Sequence, residues 1–243
     1  MSKTALVTGG SGGIGSEICI ELAKSGWYVA VGYNTSKAAA ESICLQINKL
    51  GYTAKPFYCN ISDLSSVQNC VQQVNDILGS VTLLVNNAGT ADIRLFTDLD
   101  EEKMLKLINE NLIGAMRMTK AVLPDMIRNH KGNIINISSV WGERGASCEV
   151  VYSTAKAGLI GFTKALAREA APSNIRVNCV SCGLIDTKMN SELSKDDLQA
   201  VIDEIPSGRI GKPIDVANTV VFLADEKSDY IQGQVIRVDG CWI

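Results

Sequence analysis

The sequence has a single histidine, His130, and only one close pair of cysteines, Cys179 and Cys182, among its eight. Metal centres need several imidazole or thiolate ligands at set spacings, so no metal is expected, and without a second pair the Cys179/Cys182 spacing is weak ground for redox chemistry. Cys19, Cys44 and Cys179 fall inside apolar stretches, where a reduced thiol acts as a small core residue. Long hydrophobic runs are missing too. No stretch approaches the roughly 18 uncharged residues of a membrane span, and the first apolar segment is too short for a secretory signal, so a cytoplasmic protein with no membrane partner is expected. Nor does one sign of charge dominate. A net charge of -3 with acids and bases interspersed leaves no basic stripe, which argues against nucleic acid as a partner. No Pro/Gly/Ser-rich linker, repeat or low-complexity tract breaks the chain, so one domain is expected over 1–243. His130 beside Lys131 reads as part of a polar connection.

What the sequence does have is alternation. Apolar, β-branched segments at 4–8, 28–33, 54–59, 83–86, 133–138, 176–180 and 235–238 are separated by helical patterns at 14–25, 37–50, 64–78, 101–129, 152–171 and 213–224. Near-continuous hydrophobic strands divided by helices imply a parallel sheet covered on both faces. The fold class is therefore α/β, a doubly wound parallel sheet of about seven strands. The stretch 186–211 is polar, helix-prone in parts and bounded by glycines, which suits a flap over a site.

Directly after the first strand comes Thr8-Gly9-Gly10-Ser11-Gly12-Gly13-Ile14-Gly15, followed by a helix. Glycines allow a tight turn and close approach of a pyrophosphate, and the helix start offers free N–H donors, so a dinucleotide fits this corner. About 20 residues further, where NAD sites place an acid, none is found. Instead the second strand ends Tyr33-Asn34-Thr35-Ser36-Lys37, whose amide, hydroxyl and ammonium donors suit a 2'-phosphate and point to NADP(H) rather than NAD. The same residues also suit an ordinary helix start at Thr35 or Ser36 beside a solvated lysine.

Tyr152-Ser153-Thr154-Ala155-Lys156 sets a phenol and an ammonium four residues apart on one helix face. Bringing a tyrosine about three pKa units toward neutrality takes roughly 4 kcal/mol, which a cation near 4 Å supplies at an effective dielectric of about 20. Taken alone the pair is common and suits a core tyrosine beside a solvent-facing lysine. Context changes that reading: the strand Ile134-Ile135-Asn136-Ile137 ends in Ser138-Ser139 at the carboxyl edge where open α/β sheets bind ligands. Asn86-Asn87-Ala88-Gly89 ends the fourth strand at the same edge, and Asn111 lies in the following helix.

Together these motifs resemble the short-chain dehydrogenase/reductase family from Thr4 to Gly240, the order being completed by Gly183 and Thr187. The resemblance implies a Rossmann-type fold and a carbonyl reduction in which Tyr152 donates a proton, Ser139 hydrogen-bonds the substrate oxygen, and Lys156 lowers the tyrosine pKa and holds the nicotinamide ribose. It implies that Asn111 anchors a water and that Asn87, Ala88 and Gly89 flank the adenosine side. Ile185 and Thr187 after Gly183 would bind the nicotinamide amide. The coenzyme cradle would comprise Gly9, Ser11, Gly12, Gly13, Ile14 and Gly15, with Asn34, Thr35, Ser36, Asn60 and Ile61 beyond. The closest likeness is to bacterial 3-oxoacyl-[acyl-carrier-protein] reductases, implying fatty acid synthesis, a carrier-bound ketone and a homotetramer. Departures stand beside it: Gly12 where many NADP-using members carry a basic residue, Asn60 where an Asp is usual, and Cys182 where a proline is expected. The arginines near 128–131 and 173–176 do not clearly align with those that dock an acidic carrier. The stretch Trp141-Gly142-Glu143-Arg144-Gly145-Ala146-Ser147-Cys148-Glu149-Val150 instead resembles reductases of a ketone-bearing modification on elongation factor P, where Glu143 or Glu149 could meet a cation. Its plain rival is a carboxylate paired with Arg144. A cofactor-binding regulatory protein without catalysis is the alternative of another class, and the full set Asn111, Ser139, Tyr152 and Lys156 weighs against it.

Overall fold

The computed structural model describes residues 3–188 and 194–243. Among them, β1 (Thr4–Val7), β2 (Tyr28–Tyr33), β3 (Ala54–Tyr58), β4 (Val81–Asn86), β5 (Gly132–Ser139), β6 (Ile175–Cys182) and β7 (Val235–Val238) form one sheet in the order β3-β2-β1-β4-β5-β6-β7. Every pairing is parallel. The strand order reverses between β1 and β4, the switch point where such sheets open a crevice at their carboxyl ends.

Residues alternate faces along each strand, so a sheet buried on both sides needs apolar residues at nearly every position. Here Ala5 and Val7 of β1, with Leu83 and Val85 of β4, enter one apolar cluster, and Leu6 and Leu84 enter the other. The first cluster is closed by Ile18 and Leu22 of α1 (Gly13–Lys24), Cys44 and Ile47 of α2 (Lys37–Lys49), and Val216 and Val220 of α9 (Pro213–Ala224). The second is closed by Val67 and Val74 of α3 (Leu64–Leu78), Met118 and Val122 of α5 (Gly114–Arg128), and Leu166 of α7 (Val150–Ala170). The expected doubly wound α/β fold is present, and among the described residues no helix is long and apolar enough to cross a membrane.

Two local features depart from the sequence expectation, a divided helix and an added short one. The helix expected over 101–129 is divided into α4 (Glu101–Ile108), a π-helical turn at Asn109–Ile113, and α5. Asn111 explains the break: its side-chain amide donates to the carbonyls of Leu107 (3.0 Å) and Thr90 (2.8 Å), competing for an acceptor that the backbone would otherwise use. A short helix, α6 (Trp141–Arg144), follows β5. Within the stretch expected to be a flap, residues 189–193 lie outside the described residues. The remainder holds α8 (Lys195–Glu204), begun by Ser194, whose hydroxyl accepts from the Asp197 N–H at 3.1 Å, with Asp196 and Asp197 at the positive helix end.

Candidate active site

The glycine turn leaves β1 at the switch point, and one hydroxyl fixes it to the neighbouring strand. Thr8 Oγ1 accepts from the backbone N–H groups of Asn87 (3.0 Å) and Ala88 (3.1 Å), while Asn87 Nδ2 donates to the carbonyls of Thr8 (3.1 Å) and Gly9 (3.2 Å). Gly9 has φ 61°, a left-handed conformation that side chains disfavour. At Gly15 a Cβ would stand 2.2 Å from the Gly9 carbonyl oxygen, and at Gly13 one would stand 2.9 Å from Thr187 Cγ2. The turn is thus shaped by what has been left out, and it opens onto a cleft of about 870 Å3 at the carboxyl edge of the sheet.

Tyr152 and Lys156 share one face of α7 and line this cleft. Lys156 is 5% exposed; its Nζ donates to the Ile137 carbonyl at 3.0 Å and lies 5.5 Å from the centre of the Tyr152 ring. Ser138 Oγ donates to the Lys156 carbonyl (3.0 Å), clamping β5 to α7, and the Ser139 hydroxyl accepts from the Trp141 N–H (3.2 Å) while hydrogen-bonding the Tyr152 phenol. Asn111 Oδ1 is buried without a partner; a Cβ on Gly89 would lie 2.4 Å from it and 3.5 Å from Lys156 Nζ. Beneath the site, Asn86 Nδ2 donates to Asn136 Oδ1 (2.9 Å), and Asn136 Nδ2 to Thr163 Oγ1 (2.8 Å), a buried chain that joins β4, β5 and α7.

Burial dominates the electrostatics here. It pushes the Tyr152 phenol well above its ordinary value, the nearby Glu149 carboxylate adds to the rise, and the Ser139 hydrogen bond opposes it. Burial also draws Lys156 down to about 8. The expected acidification of Tyr152 by Lys156 is therefore reversed in this fold: both groups have lost solvent, and desolvation outweighs their proximity. Cys179 and Cys182 are raised to about 12 by burial, which keeps them as thiols. Three residues apart on a strand, they project from opposite faces of the sheet, so their spacing makes no redox pair.

The chain matches the short chain dehydrogenase family over residues 3–198. It belongs to that family. An uncharacterized oxidoreductase of Bacillus subtilis, YmfI, is 39% identical over 243 residues, spanning 100% of this chain and 99% of that protein. The 3-oxoacyl-[acyl-carrier-protein] reductase FabG of Staphylococcus epidermidis is 40% identical over 240 residues, covering 99% and 98% of the two chains. The FabG of Vibrio harveyi is 40% identical over 238 residues, covering 98% and 96%.

In this short chain dehydrogenase the cleft gathers nearly all the residues singled out from the sequence: Gly9, Ser11, Gly12, Gly13, Ile14 and Gly15 of the turn; Asn34, Thr35, Asn60 and Ile61; Asn87, Ala88 and Gly89; Asn111, Ser139, Tyr152 and Lys156; and Gly183, Ile185 and Thr187. Ser36 does not line it; it precedes α2 as an ordinary helix start. Glu143 does not line it either. Arg237 binds Glu143 through Nε (3.0 Å) and Nη2 (2.8 Å), so its partner comes from β7 and not from Arg144. Glu149 does line the cleft. Sequence reasoning missed Trp141 and Trp242, which line the cleft with ring centres 4.8 Å apart, and Arg117, which shares a neighbouring hollow with Asn34 and Asn60. Nothing in local sequence brings position 242 to position 141. A polar helix position with three acceptors, Asn109 Oδ1 (2.6 Å) and the carbonyls of Ser62 (3.0 Å) and Ile61 (3.4 Å), is equally silent for Arg117.

Proposed function

We propose that this oxidoreductase is an NADP(H)-dependent carbonyl reductase, with Tyr152, Ser139, Lys156 and Asn111 as its catalytic set. The observation that carries the reading is the meeting of Tyr152, Ser139 and Lys156 in the same cleft as the glycine turn. A dinucleotide suits that turn, where Cβ atoms at Gly13 and Gly15 would fill the cradle, and the end of β2 offers Asn34 and Thr35 with no carboxylate to repel a 2'-phosphate. When bound, the coenzyme supplies the hydride. The carbonyl oxygen, turning negative as carbon accepts that hydride, takes the Tyr152 proton while the Ser139 hydroxyl steadies it. A phenol raised by burial is protonated at neutral pH, the form a reduction consumes. Lys156, at about 8, is mostly charged at pH 7 and can pass a proton toward the phenol it underlies. Asn111 Oδ1 is free to accept from a water joining this relay to solvent.

For the substrate, the first reading is a 3-oxoacyl chain on acyl carrier protein, supported by the activity for which the staphylococcal and Vibrio relatives are named. The second is a ketone-bearing modification on elongation factor P, favoured by the disposition of charge: the half-buried Glu149 faces the cleft unpaired, and Arg176 is tied to the Leu223 carbonyl (2.8 Å) and Ser228 (3.1 Å) rather than free to dock an acidic carrier. We place the reaction in the cytoplasm, in a homotetramer, with 186–211 as the substrate flap. Steady-state reduction of a ketone panel with NADPH and with NADH tests the reading. NADPH should be preferred and Tyr152→Phe should lower turnover by at least about a hundredfold. A protein that binds NADPH yet reduces no ketone would be a regulatory binder instead.

A further inference from the structure

We propose that the turn after β3 reads the base of the coenzyme through hydrogen-bond donors, so that this protein takes a dinucleotide carrying a 6-oxopurine at least as well as one carrying adenine. The inference rests on the coenzyme reading above and names Asn60 as the residue that sets base specificity.

The order of the sheet decides where the base lies. The glycine turn that suits a pyrophosphate follows β1, while Tyr152 and Lys156 stand toward β5, whose Ile137 carbonyl accepts from Lys156 Nζ at 3.0 Å. With the nicotinamide on that side, the other half of a dinucleotide must run across β2 toward β3. There Asn60, Ile61 and Ser62 line the same cleft.

Hydrogen bonds inside the protein already engage the acceptors of this turn. Asn60 Oδ1 accepts from the Ser62 N–H (3.0 Å), and the Asn60 carbonyl accepts from the Asp63 N–H (3.1 Å). Arg117 Nη1 donates to the carbonyls of Ile61 (3.4 Å) and Ser62 (3.0 Å) and is itself steadied by Asn109 Oδ1 at 2.6 Å. A backbone N–H cannot donate to an amide NH2, so Ser62 fixes which end of the Asn60 side chain is oxygen. What remains are donors. Among the described residues, neither Asn60 Nδ2 nor the Ile61 N–H makes a hydrogen bond, and both residues are half-buried at the cleft wall. The Ser62 hydroxyl can donate or accept and so favours neither kind of base edge.

Adenine meets two donors poorly. Its 6-amino group is itself a donor, set beside the N7 acceptor, whereas a 6-oxopurine presents two acceptors, O6 and N7, along that edge. Donor against donor leaves both groups unsatisfied once water is excluded; an oxygen at position 6 completes the pairing.

The test titrates the protein with NADPH and with its deamino analogue, in which hypoxanthine replaces adenine, following the fluorescence of the reduced nicotinamide that both share. The wild-type protein should bind the hypoxanthine form as tightly as NADPH or more tightly. Asn60→Asp keeps an oxygen for the Ser62 N–H but turns the free donor into an acceptor. Its charge acts on both dinucleotides alike and cancels in the ratio of their Kd values. That ratio should move toward NADPH by about tenfold, the worth of one hydrogen bond. A wild-type preference for NADPH beyond about threefold, or a ratio that moves by less than about threefold in Asn60→Asp, overturns the base assignment and leaves the coenzyme reading intact. Should the variant fail to fold, the wild-type ratio decides alone. Binding of neither dinucleotide overturns the coenzyme reading and this proposal together.

Discussion

Replacing Lys156 by methionine should make the protein more stable at neutral pH even as its activity disappears. Lys156 is 5% exposed, and its ammonium donates to the Ile137 carbonyl at 3.0 Å. Burial brings its pKa from 10.5 down to about 8. Because the folded value is the lower one, the unfolded chain binds more protons between these two pH values, and stability rises with pH across that window. Below about pH 8 lysine is charged in both states and the penalty is constant; above 10.5 it is gone. At about 1.4 kcal/mol for each tenfold change in proton affinity, the penalty is on the order of 3 kcal/mol. Methionine has similar length and no charge to desolvate. Urea unfolding without coenzyme should therefore show Lys156→Met ahead of the wild type by up to about 3 kcal/mol at pH 7. The gap should shrink toward pH 10.5, other titrating groups cancelling in the difference. A gap that stays constant with pH, or a variant less stable at pH 7, would refute the reasoning.

Asn34→Asp should place a carboxylate where the cleft now offers an amide, and like-charge repulsion should lower kcat/KM with NADPH by about tenfold or more while sparing NADH. Gly15→Ala would force a Cβ to 2.2 Å from the Gly9 carbonyl, so the turn must deform; coenzyme binding, read by NADPH fluorescence, should weaken severely. Leu84 is 0% exposed in the centre of the sheet, and Leu84→Ala should cost about 2–5 kcal/mol in denaturant unfolding, with little change in the coenzyme preference of the folded fraction.

The sheet was legible because its strands are buried on both faces and therefore read as unbroken apolar runs; Leu6 and Val7 enter different clusters yet look alike in sequence. The glycine turn and the Tyr152–Lys156 face were legible because each depends on spacing within one element. What depends on distant chain segments was not. Glu143 and Arg237 are separated by 94 positions, and Trp141 and Trp242 by still more, so no local pattern could pair them. The π-helical turn escaped because residues 101–129 carry an uninterrupted helical pattern, and only the Asn111 amide, reaching Leu107 and Thr90, decides the extra residue. The direction of the Tyr152 shift escaped for another reason. Charge proximity can be inferred from spacing, whereas loss of solvent is a property of the assembled cleft.

The Thr8 hydroxyl links two stretches of chain nearly eighty residues apart through the N–H groups of Asn87 and Ala88. Neither half of the crevice is complete until β4 has docked beside β1, so affinity for a dinucleotide becomes a gauge of long-range assembly. A ligand that binds only the assembled crevice will also stabilise it in proportion to the logarithm of its concentration over Kd. During synthesis, the nascent chain can acquire that protection only once the fourth strand has emerged, so coenzyme supply and the survival of newly made protein are coupled through one threonine.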